Sequence, residues 1–141
     1  MEKNELRIGN VVYDSLNQSY DVVIGINNND TVDFPFELNN DICFVEGVKI
    51  SGEILKKLGF VNISDTEEEY YVWEYNNGDI RKRICLYEFN KMWCINITYS
   101  ENIRYTAQSL HFRNIKYVHQ IQNAYHTITG GEEFNIDSLL K

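Results

Sequence analysis

The segment from Ile115 to Glu133, IKYVHQIQNAYHTITGGEE, most narrows what this chain can become. A helix turns about 100° per residue, so Tyr117, Ile121, Ala124 and Ile128 share one stripe, with Val118 and Tyr125 beside it. That stripe calls for a sheet or another helix to cover it. His119, Gln122, Asn123 and His126 fall on the other side of the same wheel, and Gly130-Gly131 supplies the positive φ at which helices end. The spacing predicts an amphipathic helix near 114–129 with its polar face turned to solvent or to a partner. Such a face is either an ordinary solvated surface or a row of neutral donors and acceptors that recognises a polar ligand or a protein. A metal site is disfavoured there, because His119 and His126 stand two turns apart, roughly 10.5 Å along the axis.

Ahead of that helix the pattern is mostly strand. Leu6 to Tyr13 is apolar apart from Arg7 and the Gly9-Asn10 break, and Tyr20 to Ile26 is a β-branched run closed by the turn cluster Asn27 to Asp30. Thr31 to Phe36 and Ile42 to Val48 add further short strands, which together predict a small twisted, barrel-like N-terminal part. Ser51 is placed to N-cap a short helix near 52–58, with Ile54, Leu55 and Leu58 inward and Gly59 as the residue after its end. Glu69 to Tyr75, Ile80 to Phe89, Met92 to Tyr99 and Arg104 to Phe112 then read as a β-meander, with Asn77-Gly78 as its hairpin signal. The fold class is α+β, mainly antiparallel β. One domain over 1–141 is expected, divisible into an N-terminal β lobe, 1–50, and an α/β remainder, 51–141. The tail Phe134 to Leu140 is amphipathic enough to dock on a neighbour, or it frays.

Composition bounds the function. A chain of 141 residues, 43% hydrophobic, can bury a core, and its formal charge of −8 opposes binding to a phosphate backbone. Direct nucleic-acid binding is therefore not expected. No secretory h-region follows Met1 and no apolar run approaches the roughly 20 residues that span a bilayer, so a cytoplasmic protein without membrane contact is expected. Cys43, Cys85 and Cys94 are odd in number and lack CxxC spacing, which argues against a disulfide framework or a zinc site. Each reads as a small buried hydrophobe, with Cys85 and Cys94 on neighbouring strands as a conceivable redox pair.

The chain contains neither GxSxG nor a phosphate-cradling GxxxxGK[ST] or GxGxxG, and no Cys lies beside a His. The acidic runs Glu67 to Glu69 and Glu132-Glu133 read as solvated charge rather than as an acid and base pair. No catalytic residue, metal ligand or cofactor is assigned, although an enzyme assembled from scattered residues stays open.

Three blocks carry a family resemblance. ELRIGNVVYD at the start, KISGEILKKLGF in the middle and IKYVHQIQNAYHTITGGEEF at the end resemble small uncharacterised proteins of bacterial phages, prophages and mobile elements. Those proteins have an ELRIGN-type start, an LTEEWLLKLGF-like middle and a KYVHQLQNLYFALTGEEL-like end. The likeness runs in order along nearly the whole chain, with the central hairpins matching in pattern. Ala124, His126 and Thr127 replace larger apolar residues, and Gly130-Gly131 has one glycine more. The resemblance implies a phage accessory protein acting in the host cytoplasm and transfers no catalytic residue.

Two binding mechanisms fit that setting. In one, Trp73, Tyr75, Trp93 or Tyr99 stacks on a nucleotide-like ligand while Arg81, Arg83 or Arg104 pairs with its phosphates, in a pocket shared between subunits of a homo-oligomer. Plain sheet packing is the competing role for those aromatics. In the other, the acidic surface docks on a host defence protein and occludes a basic groove.

Overall fold

A computed structural model of the chain describes residues 1–63, 70–101 and 106–140. Six strands come first: β1 (Val11–Asp14), β2 (Ser19–Val22), β3 (Gly25–Ile26), β4 (Thr31–Phe34), β5 (Glu37–Asp41) and β6 (Val45–Gly47). Helix α1 (Gly52–Lys57) leads into β7 (Val61–Asn62), β8 (Tyr70–Asn76), β9 (Ile80–Phe89), β10 (Met92–Glu101) and β11 (Thr106–Ile115), and α2 (Val118–Ile128) follows. They form three sheets, ordered β2-β1-β6, β3-β4-β5 and β11-β10-β9-β8-β7, and every described ladder is antiparallel. The α+β, mainly antiparallel class and the C-terminal helix agree with the sequence pattern.

Turn chemistry sets the meander. Asn90 and Lys91 both take positive φ, 53° and 62°, so the β9–β10 hairpin closes in two residues with the twist that antiparallel strands favour. The β8–β9 turn sits one residue beyond the Asn-Gly pair. Asn77 still pairs with Ile80, its side chain accepts from the amides of Asp79 and Ile80, and Gly78 takes the positive φ. Residues paired across the ladders share a face, so Tyr71, Leu86 and Ile95 form one inward row and Trp73, Ile84 and Ile97 the next. Helix α2 lays Val118, Ile121, Ala124, Tyr125 and Ile128 into this core. The tail docks on its own chain rather than fraying, with Phe134, Ile136 and Leu139 buried and the Phe134 ring 5.2 Å from that of Trp73.

Helix α1 forms as its signals predict. Ser51 Oγ accepts from the Ile54 amide at 3.2 Å, Leu55 is buried, and Gly59 takes a φ of 93°.

Three boundaries differ from the sequence expectation. Tyr20 to Ile26 is two strands, because the buried Val23 donates to Asn10 O while Ile24 donates to Asp33 O, moving the chain from one sheet to the next. Ile42 to Phe44 is a 3-10 turn, initiated where the Asp41 side chain accepts from the Cys43 amide, so only Val45–Gly47 is strand. Helix α2 starts at Val118 rather than near 114, since residues 116–118 are held extended by Ile50 N–H on Lys116 O and Val118 N–H on Val48 O. The Arg104 end of the predicted last strand and Glu67 to Glu69 lie outside the described residues.

A second core of Leu6, Val12, Val23, Val32, Phe34 and Val45 lies among the N-terminal strands. β1 divides the two cores: Val11 belongs to the main one and Val12 to the second, as alternation along a strand requires. Its outer backbone groups are satisfied by a side chain. The Val11 amide donates to Gln122 Oε1 at 2.8 Å, and Gln122 Nε2 donates to Gly9 O at 2.9 Å, so one amide from α2 acts as a short stretch of neighbouring strand. Removing it leaves an N–H and a C=O unpaired in the interior, at about 1–3 kcal/mol each. Gln122→Ala is therefore expected to destabilise the protein by about 2–4 kcal/mol in urea unfolding, and an unchanged midpoint would show that the amide is dispensable.

Candidate functional site

Register separates the sequence-predicted ligand residues. Trp73, Tyr75, Trp93 and Tyr99 all lie on the face of the large sheet that bears α2, where Tyr75 and Tyr99 flank Lys82 in the ladder. Arg81 and Arg83 have the opposite parity along β9 and point from the other face. Within one chain they therefore do not share a face with the aromatics. Trp73 is instead packed edge-on against Tyr125 and Phe134, Trp93 lies against Tyr71, and Tyr99 donates to Glu101. Arg81 pairs with Glu74 at 3.0 Å, and Arg104 lies outside the described residues. Lys82 occupies the position expected of a ligand cation, held by Glu132 and Tyr125 with the Tyr75 ring 5.0 Å away.

The polar side of α2 also departs from expectation. His119 and Gln122 are 2% and 1% exposed, because the N-terminal segment crosses over that side of the helix. Asn123 Oδ1 accepts from Arg7 Nε at 3.1 Å and from Asn10 Nδ2 at 2.8 Å, while the Arg7 guanidinium holds both carboxylate oxygens of Glu133. These bonds hold the Glu133 carboxyl below its usual range. His126 stays half-exposed, 4.0 Å from Glu133. The row of outward-facing imidazoles and amides is thus corrected: two members are interior and a third is engaged within the chain. The cysteines split as well, with Cys94 buried, Cys85 half-buried and Cys43 exposed.

The N-terminal segment, the end of β11 and the start of α2 leave an open groove of about 1250 Å³. Met1 to Glu5 and Asp30 form one wall; Phe112 to Tyr117 form the other; His119, Gln120, Asn123 and Thr127 line the base. The second wall owes its shape to a β-bulge, where Arg113 and Asn114 together oppose Cys94 and Asn114 takes a φ of 58°. Gln120 Oε1 then accepts from the Lys116 and Tyr117 amides at 2.7 and 2.9 Å, fixing the turn into the helix.

Charge in the groove is segregated. Arg113 and Lys116 stand on the helix-start wall with no carboxylate partner among the described residues, where the dipole of α2 adds positive potential. Glu2, Glu5 and Asp30 occupy the facing wall, with Lys3 bound to Asp30 at 3.5 Å. Phe112, 45% exposed, presents an aromatic surface. The His119 ring borders the base, stacked on Tyr117 at 5.4 Å with 12° between planes, and its buried Nδ1 has no hydrogen-bond partner among the described residues. Such a group is uncommon in a folded interior. Sequence reasoning passed over Phe112, Arg113 and Lys116; a cation just ahead of a predicted helix start was their one legible signal.

No family model matches the chain, and no curated protein or solved structure is found similar to it.

Burial depresses the His119 imidazole to about 4 from its ordinary 6.5. Between those values the unfolded chain binds a proton that the folded chain refuses, so stability is complete above pH about 6.5 and declines as pH falls toward about 4. His119→Leu is expected to flatten that interval by up to about 1.4 kcal/mol per pH unit in chemical unfolding. Parallel pH profiles for the two proteins would place the acid sensitivity elsewhere.

Proposed function

We propose that this is a non-catalytic binding protein whose groove at the start of α2 takes a small anionic ligand of nucleotide type. The observation that carries the reading is the groove's two-sided chemistry, with unpaired Arg113 and Lys116 on one wall and carboxylates on the other. Phosphate oxygens suit the cationic wall and the positive end of the helix, a base suits the Phe112 ring, and exocyclic amino or ribose hydroxyl groups suit Glu2, Glu5 and Asp30. Following the family resemblance, we place the protein in the host cytoplasm as a phage-encoded sink for a nucleotide signal used in defence. The barrel-like arrangement of the N-terminal strands, in this reading, holds the Met1 to Glu5 wall against α2.

A thermal-shift panel of mono-, di- and cyclic nucleotides tests this. At about 100-fold excess over Kd, a true ligand adds roughly 2.7 kcal/mol of stability. Arg113→Ala and Lys116→Ala are each expected to weaken binding about tenfold or more by calorimetry while leaving the unliganded melting temperature unchanged. No shift with any nucleotide, together with salt-sensitive capture of one host protein, would replace the sink by the acidic docking protein. Consumption of the nucleotide, followed by mass spectrometry, would make the protein an enzyme.

A further inference from the structure

Charge is unevenly distributed along this chain. Residues 8–48 contain seven acidic residues and not one lysine or arginine. The N-terminal lobe also exposes an apolar tip. Phe36, set by Pro35 in the β4–β5 turn, is 100% exposed, and Leu38 and Leu16 are 65% and 62% exposed. The tip is held together: Asn17 Nδ2 donates to Asp14 at 2.8 Å and to Glu37 at 2.9 Å, joining the β1–β2 turn to the β4–β5 turn, and the Ser15 amide donates to Phe44 O. Burial raises the Asp21 carboxyl against a hydrogen bond from Ser19, and the nearby charges of Asp14 and Glu37 add to the rise. An apolar knob with an acidic collar suits neither water nor an anionic lipid surface.

The same chain carries the complementary shape. Beside the β9–β10 turn lies a pocket of about 220 Å³, floored by Ile50, Trp93 and Ile115 and rimmed by Lys49, Lys91 and Lys116. None of the three lysines is paired with a carboxylate among the described residues. A cavity of about 150 Å³ is enough to bind a benzene ring, so a phenylalanine side chain fits this one.

We infer that the protein self-associates head to tail, the Phe36 knob of one copy entering the lysine-rimmed Trp93 pocket of the next while Glu37 and its neighbouring carboxylates meet Lys49 and Lys91. The knob and pocket are different surfaces, so the contact is heterologous and builds a ring or a filament rather than a two-fold dimer. The pocket and the nucleotide groove share Asn114, Ile115, Lys116 and Tyr117, but Phe36, Lys49 and Lys91 do not border the groove, so variants at these three test the assembly without altering the ligand site.

Sedimentation of the full chain at concentrations up to about 1 mM tests it. The wild type is expected to grow in mass with concentration, and less so at high salt. Phe36→Asp and the double variant Lys49→Glu with Lys91→Glu are each expected to stay monomeric with an unchanged circular dichroism spectrum. Each retains the half that the other has lost, so mixing them is expected to give a one-to-one dimer and nothing larger. Phe36→Ala, which adds no charge, is expected to weaken association about tenfold or more. A wild type that remains monomeric, a Phe36→Asp protein that still associates, or a mixture that stays monomeric would each overturn the inference.

Discussion

The pairing of the Gln122 amide with Gly9 O and the Val11 amide is the contact on which the rest of the structure depends. β1 is the wall between two cores, with Val11 facing one and Val12 the other, so any slip of this strand empties both. Ladder partners on either side, β2 and β6, fix the strand within its own sheet. The helix, together with the backbone bonds that join Val48 and Ile50 to Val118 and Lys116, fixes that sheet against the five-stranded one. Apolar packing alone would allow α2 to slide along its stripe, because dispersion contacts have little directionality. A buried carboxamide bonded at both ends has one acceptable position, and Asn123 with Asn10 and Arg7 repeats the constraint one residue on.

That constraint also shapes the groove. Arg7, which binds Asn123 and Glu133, lies two residues beyond the Met1 to Glu5 segment that forms one wall. The other wall ends at Tyr117, the residue that opens α2. Both walls are thus referred to the same helix. A site whose sides are fixed to one rigid element keeps its spacing better than one assembled from free loops, and less binding energy is lost to ordering it.

The strands and helices were legible where local chemistry decides them. Ser51 and Gly59 delimit α1, alternation marks β9 and β10, and the 3.6-residue stripe marks α2. What periodicity could not reveal was the fate of the polar side of α2. A helical wheel distinguishes apolar from polar, but burial of Gln122 and His119 depends on a segment more than a hundred residues away in sequence. The same gap explains why the residues expected at one ligand divide between the two faces of the sheet. Parity along β9 puts Lys82 on the face opposite Arg81 and Arg83, and the pairing with β8 that sets Lys82 beside Tyr75 is a ladder fact that composition does not hold. In retrospect the first and last landmark blocks, ELRIGN and the Gln122-Asn123 pair, are the two halves of one clasp. Their shared presence is as well explained by folding as by recognition.

Charge carries the argument one step further than packing does. If the −8 were spread evenly, it would serve solubility alone and hinder any anionic ligand. Instead residues 8–48 hold seven of the acidic groups without a cation, which leaves the remainder of the chain close to neutral. In the proposed role Arg113 and Lys116 would face phosphate in a field set by the groove's own groups, with Glu2, Glu5 and Asp30 opposite them, and at about 8 Å of screening length in physiological salt the acidic residues outside the groove contribute little. A strongly acidic protein is in this way compatible with an anion-binding groove, because the sign of the potential at a site is set by the nearest unpaired groups and the helix terminus rather than by the sum over the sequence.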